Sequence, residues 1–230
     1  MHSIATALHT VNQQIIQAAE EFNRTAARIQ LLAVSKTQPT AAILAAIDCG
    51  QRHFGENYLQ EALTKIEALK EYPLEWHFIG ALQSNKTRAI AEHFQWLHTL
   101  DSHKQAQRLN EQRPESLPPL NVCIQVNISE EPQKAGVNLA ELTPLAETVA
   151  ELPRLRLRGL MTLPAYSAHF EQQRRPFRQL HQAYDQLQST GLTLDTLSMG
   201  MTDDMKAAIA EGSTMLRIGT AIFGRRPQKT

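Results

Sequence analysis

The chain holds little that would fix a fold covalently or select a partner by charge. Its 230 residues include two cysteines, Cys49 and Cys123. Each sits in an apolar stretch, with no Cys-x-x-Cys or Cys/His cluster nearby, so neither a disulfide framework nor a cysteine zinc site is supported. Both thiols are expected to be buried, in a reducing cytoplasm. Net charge is also missing: 23 Lys and Arg balance 23 Asp and Glu, so no overall field draws the chain to nucleic acid or anionic membrane. No run approaches the roughly 18 apolar residues of a membrane span. The start lacks the charged region and apolar run of a signal peptide. No Gly-x-Gly-x-x-Gly follows a strand, which weakens a dinucleotide-binding reading. No long low-complexity or Gly/Ser-rich linker divides the chain. One domain over residues 1–230 is expected, cytoplasmic and monomeric, with no nucleic-acid or membrane partner.

What is present is alternation. Ile4, Leu8, Val11, Ile15 and Phe22 recur at helical spacing and predict an amphipathic N-terminal segment over 1–28, helical from residue 3. Eight strand-like runs follow: "IQLLAVS", "RHFGEN", "EWHFIG", "WLHTLD", "LNVCIQVNI", "RLRGLMTL", "TLSMGM" and "MLRIGTAIFG". Helical segments lie between them, at 40–49, 57–70, 85–93, 102–112, 138–151, 167–190 and 203–211. Such alternation predicts a parallel sheet, and eight units predict a closed (β/α)8 TIM-type barrel, typically of roughly 250 residues. An open doubly wound sheet is the alternative. The loops "RPESLPP" and "SEEPQKAG" are the main irregular pieces, and the basic tail "RRPQKT" at 225–230 reads as solvated surface.

Side-chain alternation assigns faces. In "NVCIQVNI", Val122, Ile124, Val126 and Ile128 share one face, expected to meet helices. Cys123, Gln125 and Asn127 then look inward. In the last run, Arg217 falls on the inward face with Met215, Gly219 and Ala221. A buried arginine is costly unless paired, so it serves either an internal salt bridge or a ligand.

Barrel sites gather at the C-terminal ends of strands. "LLAVSKTQP" ends the first strand in Ser35 and Lys36. Lys36 is either leaving the core for water or is an amine poised at a pocket. Ser198, Met199 and Gly200 follow the seventh strand, with Thr202 or Asp203 as the cap of the next helix; Gly219 and Thr220 stand at the matching level of the eighth. Small residues, hydroxyls and open backbone amides suit a phosphate, and close packing explains them equally. An amine and a phosphate site facing one cavity suggest pyridoxal 5′-phosphate (PLP), which condenses with a lysine and is anchored through its phosphate. Arg217 would then face the pyridine nitrogen and, staying cationic, disfavour its protonation. Asn57 is read as holding the ring oxygen or phosphate, or as capping the helix after it. His77 packs beside the ring or is a satisfied core histidine; no second histidine stands at metal-ligand spacing, and no metal is expected. Glu56 and Lys134 are read as exposed charges without a role.

The stretches "LLAVSKTQP", "HFGENYLQE", "WHFIGALQSNK", "RGLMTLP", "LSMGMTDDMKAAI" and "LRIGTAIFG" span residues 31–224 in order. In them the chain resembles the YggS/PROSC family of PLP homeostasis proteins. The resemblance implies a single barrel similar to the N-terminal domain of bacterial alanine racemase. It places the PLP-binding Schiff-base lysine at Lys36, phosphate-binding segments at Ser198–Gly200 and Gly219–Thr220, and the arginine near the pyridine nitrogen at Arg217. It also implies a protein that holds and supplies PLP, with apo PLP-dependent enzymes as recipients and effects on amino-acid metabolism. A PLP-dependent amino-acid racemase is the alternative. The chain runs only six residues past Gly224, so a racemase's C-terminal domain and its tyrosine are not expected. Tyr58 and Tyr166 are the candidate partners for Lys36 in that reading. A PLP-free Schiff-base aldolase is the third.

Overall fold

Val122 and Ile124 alternate with Cys123 and Gln125 along one strand, and the structure uses both faces. Val122 and Ile124 join the large apolar layer between sheet and helices. Cys123 instead packs with Leu32, Trp96, Met161 and Met215 in a smaller cluster on the inner side. The structure is a computed structural model that describes residues 3–129 and 134–224. The tail at 225–230 and part of the "SEEPQKAG" loop lie outside the described residues.

Eight strands carry this two-faced pattern: β1 (Gln30–Val34), β2 (His53–Glu56), β3 (Glu75–Phe78), β4 (Trp96–Leu100), β5 (Leu120–Gln125), β6 (Leu155–Met161), β7 (Thr196–Ser198) and β8 (Met215–Ile218). They pair in parallel in sequence order, and β8 closes on β1 with Leu32 opposite Arg217. The open-sheet alternative is thereby set aside. Helices alternate with the strands: α1 (Ile4–Glu21), α2 (Thr40–Asp48), α3 (Leu59–Ala68), α4 (Thr87–His93), α5 (His103–Gln112), α6 (Leu139–Glu151), α7 (Phe170–Ser189), α8 (Met205–Ala210) and α9 (Thr220–Phe223). Phe54, Phe78, Phe94 and Phe177 are fully buried. Truncating any one to alanine removes about 3–5 kcal/mol. No helix among the described residues is long and apolar enough to cross a membrane.

Three expectations change. The N-terminal helix stops at Glu21, because Asn23 adopts the left-handed region (φ 53°) that asparagine tolerates better than most residues, and a 3-10 turn at Ala26–Arg28 leads into β1. The eighth strand ends at Ile218, and Thr220–Phe223 forms a short helix, so Thr220 belongs to a helix start. Cys49 is exposed, because it follows the last turn of α2 instead of lying within it, whereas Cys123 is buried.

Candidate functional site

The C-terminal end of β1 is held by ionic contacts that burial makes consequential. Ser35 is fully buried, and its hydroxyl donates to Glu56 Oε1 on β2 at 2.6 Å. Lys65 on α3 reaches back into the same spot. Its ammonium donates to Ser35 O at 2.8 Å, to Glu56 Oε1 at 2.7 Å and to Glu61 Oε1 at 2.5 Å. Glu61 Oε1 also accepts from Thr37 N at 2.6 Å, and Thr37 holds a left-handed backbone (φ 64°) that a β-branched residue rarely adopts. Lys36 is thus fixed on both sides in sequence. Glu56, expected as an exposed charge, is fully buried. Burial raises its pKa, while Lys65 and Ser35 pull it back. Lys134, the other unassigned charge, is half-buried, and its carbonyl accepts from Asn127 Nδ2 at 3.2 Å.

Past β1, the strand ends surround a cavity of about 380 Å³. Lys36, Asn57, Ile79, Met161, Arg217, Gly219 and Thr220 line it, together with Leu163 and the loop Met201–Asp203. Lys36 and Asn57 are half-buried, and Thr220 is exposed. Asn57 does not cap α3: Tyr58 occupies that position, and no side chain caps the helix. Its Oδ1 is instead buried with no hydrogen-bond partner among the described residues. Gly80 after β3 explains how Asn57 is placed, since a Cβ there would lie 2.1 Å from Asn57 O.

Arg217 reaches the cavity from the barrel interior and is 4 % exposed. Among the described residues no carboxylate pairs with it. Its Nη2 donates to Thr162 O and its Nη1 to Ser198 Oγ, both at 2.8 Å. Burial lowers its pKa to about 10, which leaves it cationic at neutral pH.

Four expected contacts are relocated. Ser198 is the last residue of β7, so its side chain belongs to the barrel wall and is fully buried between Arg217 and His98. Met199 packs in the outer apolar layer, and a Cβ on Gly200 would lie 2.5 Å from Ala208 Cβ. None of the three lines the cavity; Met201, Thr202 and Asp203 do. The helix cap moves with them to Asp204, whose Oδ1 accepts from Met201 N at 2.6 Å. His77 lies lower in the barrel, and its ring neighbours are His53, His98 and Trp96. Its Nε2 is 3.2 Å from His53 Nδ1, and its Nδ1 is 3.0 Å from His98 Nε2. His98 Nδ1 lies 2.8 Å from Ser198 Oγ. Burial and the charge of Arg217 push the His98 pKa down to about 3, so this ring is neutral. A polar chain therefore runs along the barrel axis from His53 to Arg217. No sequence spacing signals it, because its members come from different strands. Lys65 had a signal: it falls in step with Leu59 and Ala62 on the buried stripe of α3.

The alanine racemase N-terminal-domain family matches residues 12–227. The pyridoxal phosphate homeostasis protein of Escherichia coli K12 is 57% identical over 98% of both chains. That of Pseudomonas aeruginosa is 55% identical over 98% of this chain and 97% of its own. The chain belongs to the YggS/PROSC family. A solved member, PipY of Synechococcus elongatus PCC7942 with PLP bound, superposes with a TM-score of 0.85 at 37% identity, covering 96% of this chain and 100% of its own. Alanine racemase from Corynebacterium glutamicum superposes with a TM-score of 0.71 over 61% of its chain; at 19% identity this likeness concerns the fold alone. Within the YggS/PROSC barrel, the Lys36 cavity occupies the C-terminal mouth, where barrels place their chemistry.

Proposed function

We propose that this chain binds PLP covalently through Lys36 Nζ and serves intracellular PLP homeostasis by holding the cofactor and supplying it to apo PLP-dependent enzymes. The observation that carries the reading is one cavity holding an amine at a strand end and a buried, carbonyl-held cation. The donor set suits such a ligand. Lys36 offers the nucleophile. Arg217 offers a permanent positive charge to the ring edge. Asn57 Oδ1 is a buried acceptor awaiting a donor, and Thr220 offers a hydroxyl at the start of α9. PLP supplies an aldehyde for the lysine and a ring whose electron demand depends on protonation of its nitrogen.

The same lining argues for custody over turnover. Arg217, staying cationic, disfavours a proton on a neighbouring ring nitrogen and blunts that electron demand. Racemisation needs positioned acid and base groups on both faces of the substrate. Besides Lys36 and Arg217, the titratable lining residue is Asp203, which is exposed. Tyr58 and Tyr166 are 51% and 80% exposed and line no part of the cavity. A racemase reading rests on fold likeness, which does not carry function.

Borohydride reduction and peptide mapping should place the pyridoxyl label on Lys36, and the protein should reactivate an apo PLP enzyme. A label chiefly elsewhere overturns the site. Turnover of one amino acid at about 1 s⁻¹, an ordinary enzyme rate, that is lost in Lys36→Ala, overturns the role.

A further inference from the structure

The N-terminal mouth of a barrel usually serves stability. Here it opens into a cavity of about 610 Å³ whose wall includes His53, Glu75, Trp96, Asn121, Arg158 and Asp195. His53 begins β2 and pairs in register with Glu75, which begins β3; His77 lies two residues further along β3 on the same face. One ligand-type atom from each of His53, Glu75 and His77 lies within 4.8 Å of the other two. The His53 Nδ1 to His77 Nε2 distance is 3.2 Å, and His53 Nδ1 to Glu75 Oε2 is 3.6 Å. Four ligands around Zn(II), with bonds of about 2.1 Å, stand about 3.4 Å apart. Two of the three separations are already near that of a coordinated set, and the third closes within 4.8 Å.

We propose that His53, Glu75 and His77 form a binding site for one divalent transition ion of the zinc class, with its fourth position open to the N-terminal cavity. Two imidazoles and a carboxylate suit zinc and leave room for water or an exogenous ligand. The surroundings supply what ligating groups need. His77 Nδ1, the nitrogen turned away from the site, is 3.0 Å from His98 Nε2. With His77 Nε2 on the metal, the His77 Nδ1–H donates to His98, whose own Nδ1–H then donates to Ser198 Oγ. Trp96 Nε1 donates to Glu75 Oε2 at 3.0 Å and orients that carboxylate. Arg158 faces the same cavity, but its guanidinium is matched by Asp195, with bonds of 2.8 Å and 2.7 Å.

The test uses the full chain with PLP bound, treated with chelator, desalted and titrated with Co(II) and Zn(II). One equivalent should be retained, and Co(II) should show ligand-field absorption typical of a four-coordinate nitrogen and oxygen set. His53→Ala and Glu75→Gln, whose side chains are partly exposed, should keep the fold and the cofactor band while losing about tenfold or more in metal affinity. His181→Ala, which removes a surface histidine 3.5 Å from Asp185, should bind as the parent does. Failure to retain metal, undiminished affinity in both site variants, or equal loss in His181→Ala overturns the proposal.

Discussion

Replacing Lys65 with methionine removes the ammonium that meets Ser35 O, Glu56 and Glu61 and leaves Glu56 buried without a counter-charge. Glu56 then has two choices. It stays ionised, at about 3–5 kcal/mol for a buried charge robbed of its partner, or it takes up a proton. Protonating a carboxyl of ordinary pKa about 4.3 at pH 7 costs about 3.7 kcal/mol, at 1.36 kcal/mol per pH unit. The second route caps the first, so a loss of about 3–4 kcal/mol is expected at pH 7. The sign follows from linkage. Burial already raises the Glu56 pKa, and removing Lys65 raises it further. Between the unfolded and folded pKa values the folded state binds the extra proton, so stability falls as pH rises through that window. At pH 5 the proton costs only about 1 kcal/mol, so the variant should recover about 2.7 kcal/mol relative to the parent. Urea unfolding at pH 5, 6 and 7 measures this. A pH-independent loss, or one below about 1 kcal/mol at pH 7, refutes the reasoning. Adding Glu56→Gln to Lys65→Met should restore most of the loss at pH 7, since no buried charge then remains.

Two further outcomes probe the cavity. Thr220→Val should weaken PLP binding by about 0.5–1.5 kcal/mol, the worth of one neutral hydrogen bond, and leave the affinity for unphosphorylated pyridoxal unchanged; equilibrium titration of both ligands checks it. Gly80→Ala, which forces a Cβ against Asn57 O, should displace the β2–α3 turn, cost about 1–3 kcal/mol as overpacking does, and weaken cofactor binding, as read by thermal unfolding and by the cofactor band.

How much of this was legible depends on the range of the interaction. The strand and helix alternation, the closed barrel and the inward aim of Arg217 follow from local periodicity and strand phase, and the structure has them. Lys36 is visible because a lysine ending an apolar strand is locally odd. The Ser198–Gly200 stretch sits differently because of a boundary. β7 continues through Ser198, so the side chain stays in the wall, and the loop meets the cavity only from Met201. His77 was singled out, but the histidine chain it joins escaped for a different reason. His53, His77 and His98 are 24 and 21 residues apart, and only strand pairing makes them neighbours. Glu56 looked like a solvated charge because its partner lies on the next helix, nearly two turns past its start.

The strained Thr37 and the Lys65 clamp also make the two sides of the cavity unequal in stiffness. Their side of the cavity is cross-braced, with a left-handed residue pinned by a carboxylate and a strand end tied to α3. The far side consists of loop residues, with Leu163 39% and Met201 40% exposed. Hydrogen exchange should therefore be slow around Ser35–Thr37 and fast over Leu163 and Met201–Asp203. If exchange follows that pattern, a ligand leaving the cavity should do so past the β6 and β7 loops, with little movement required of the β1 end.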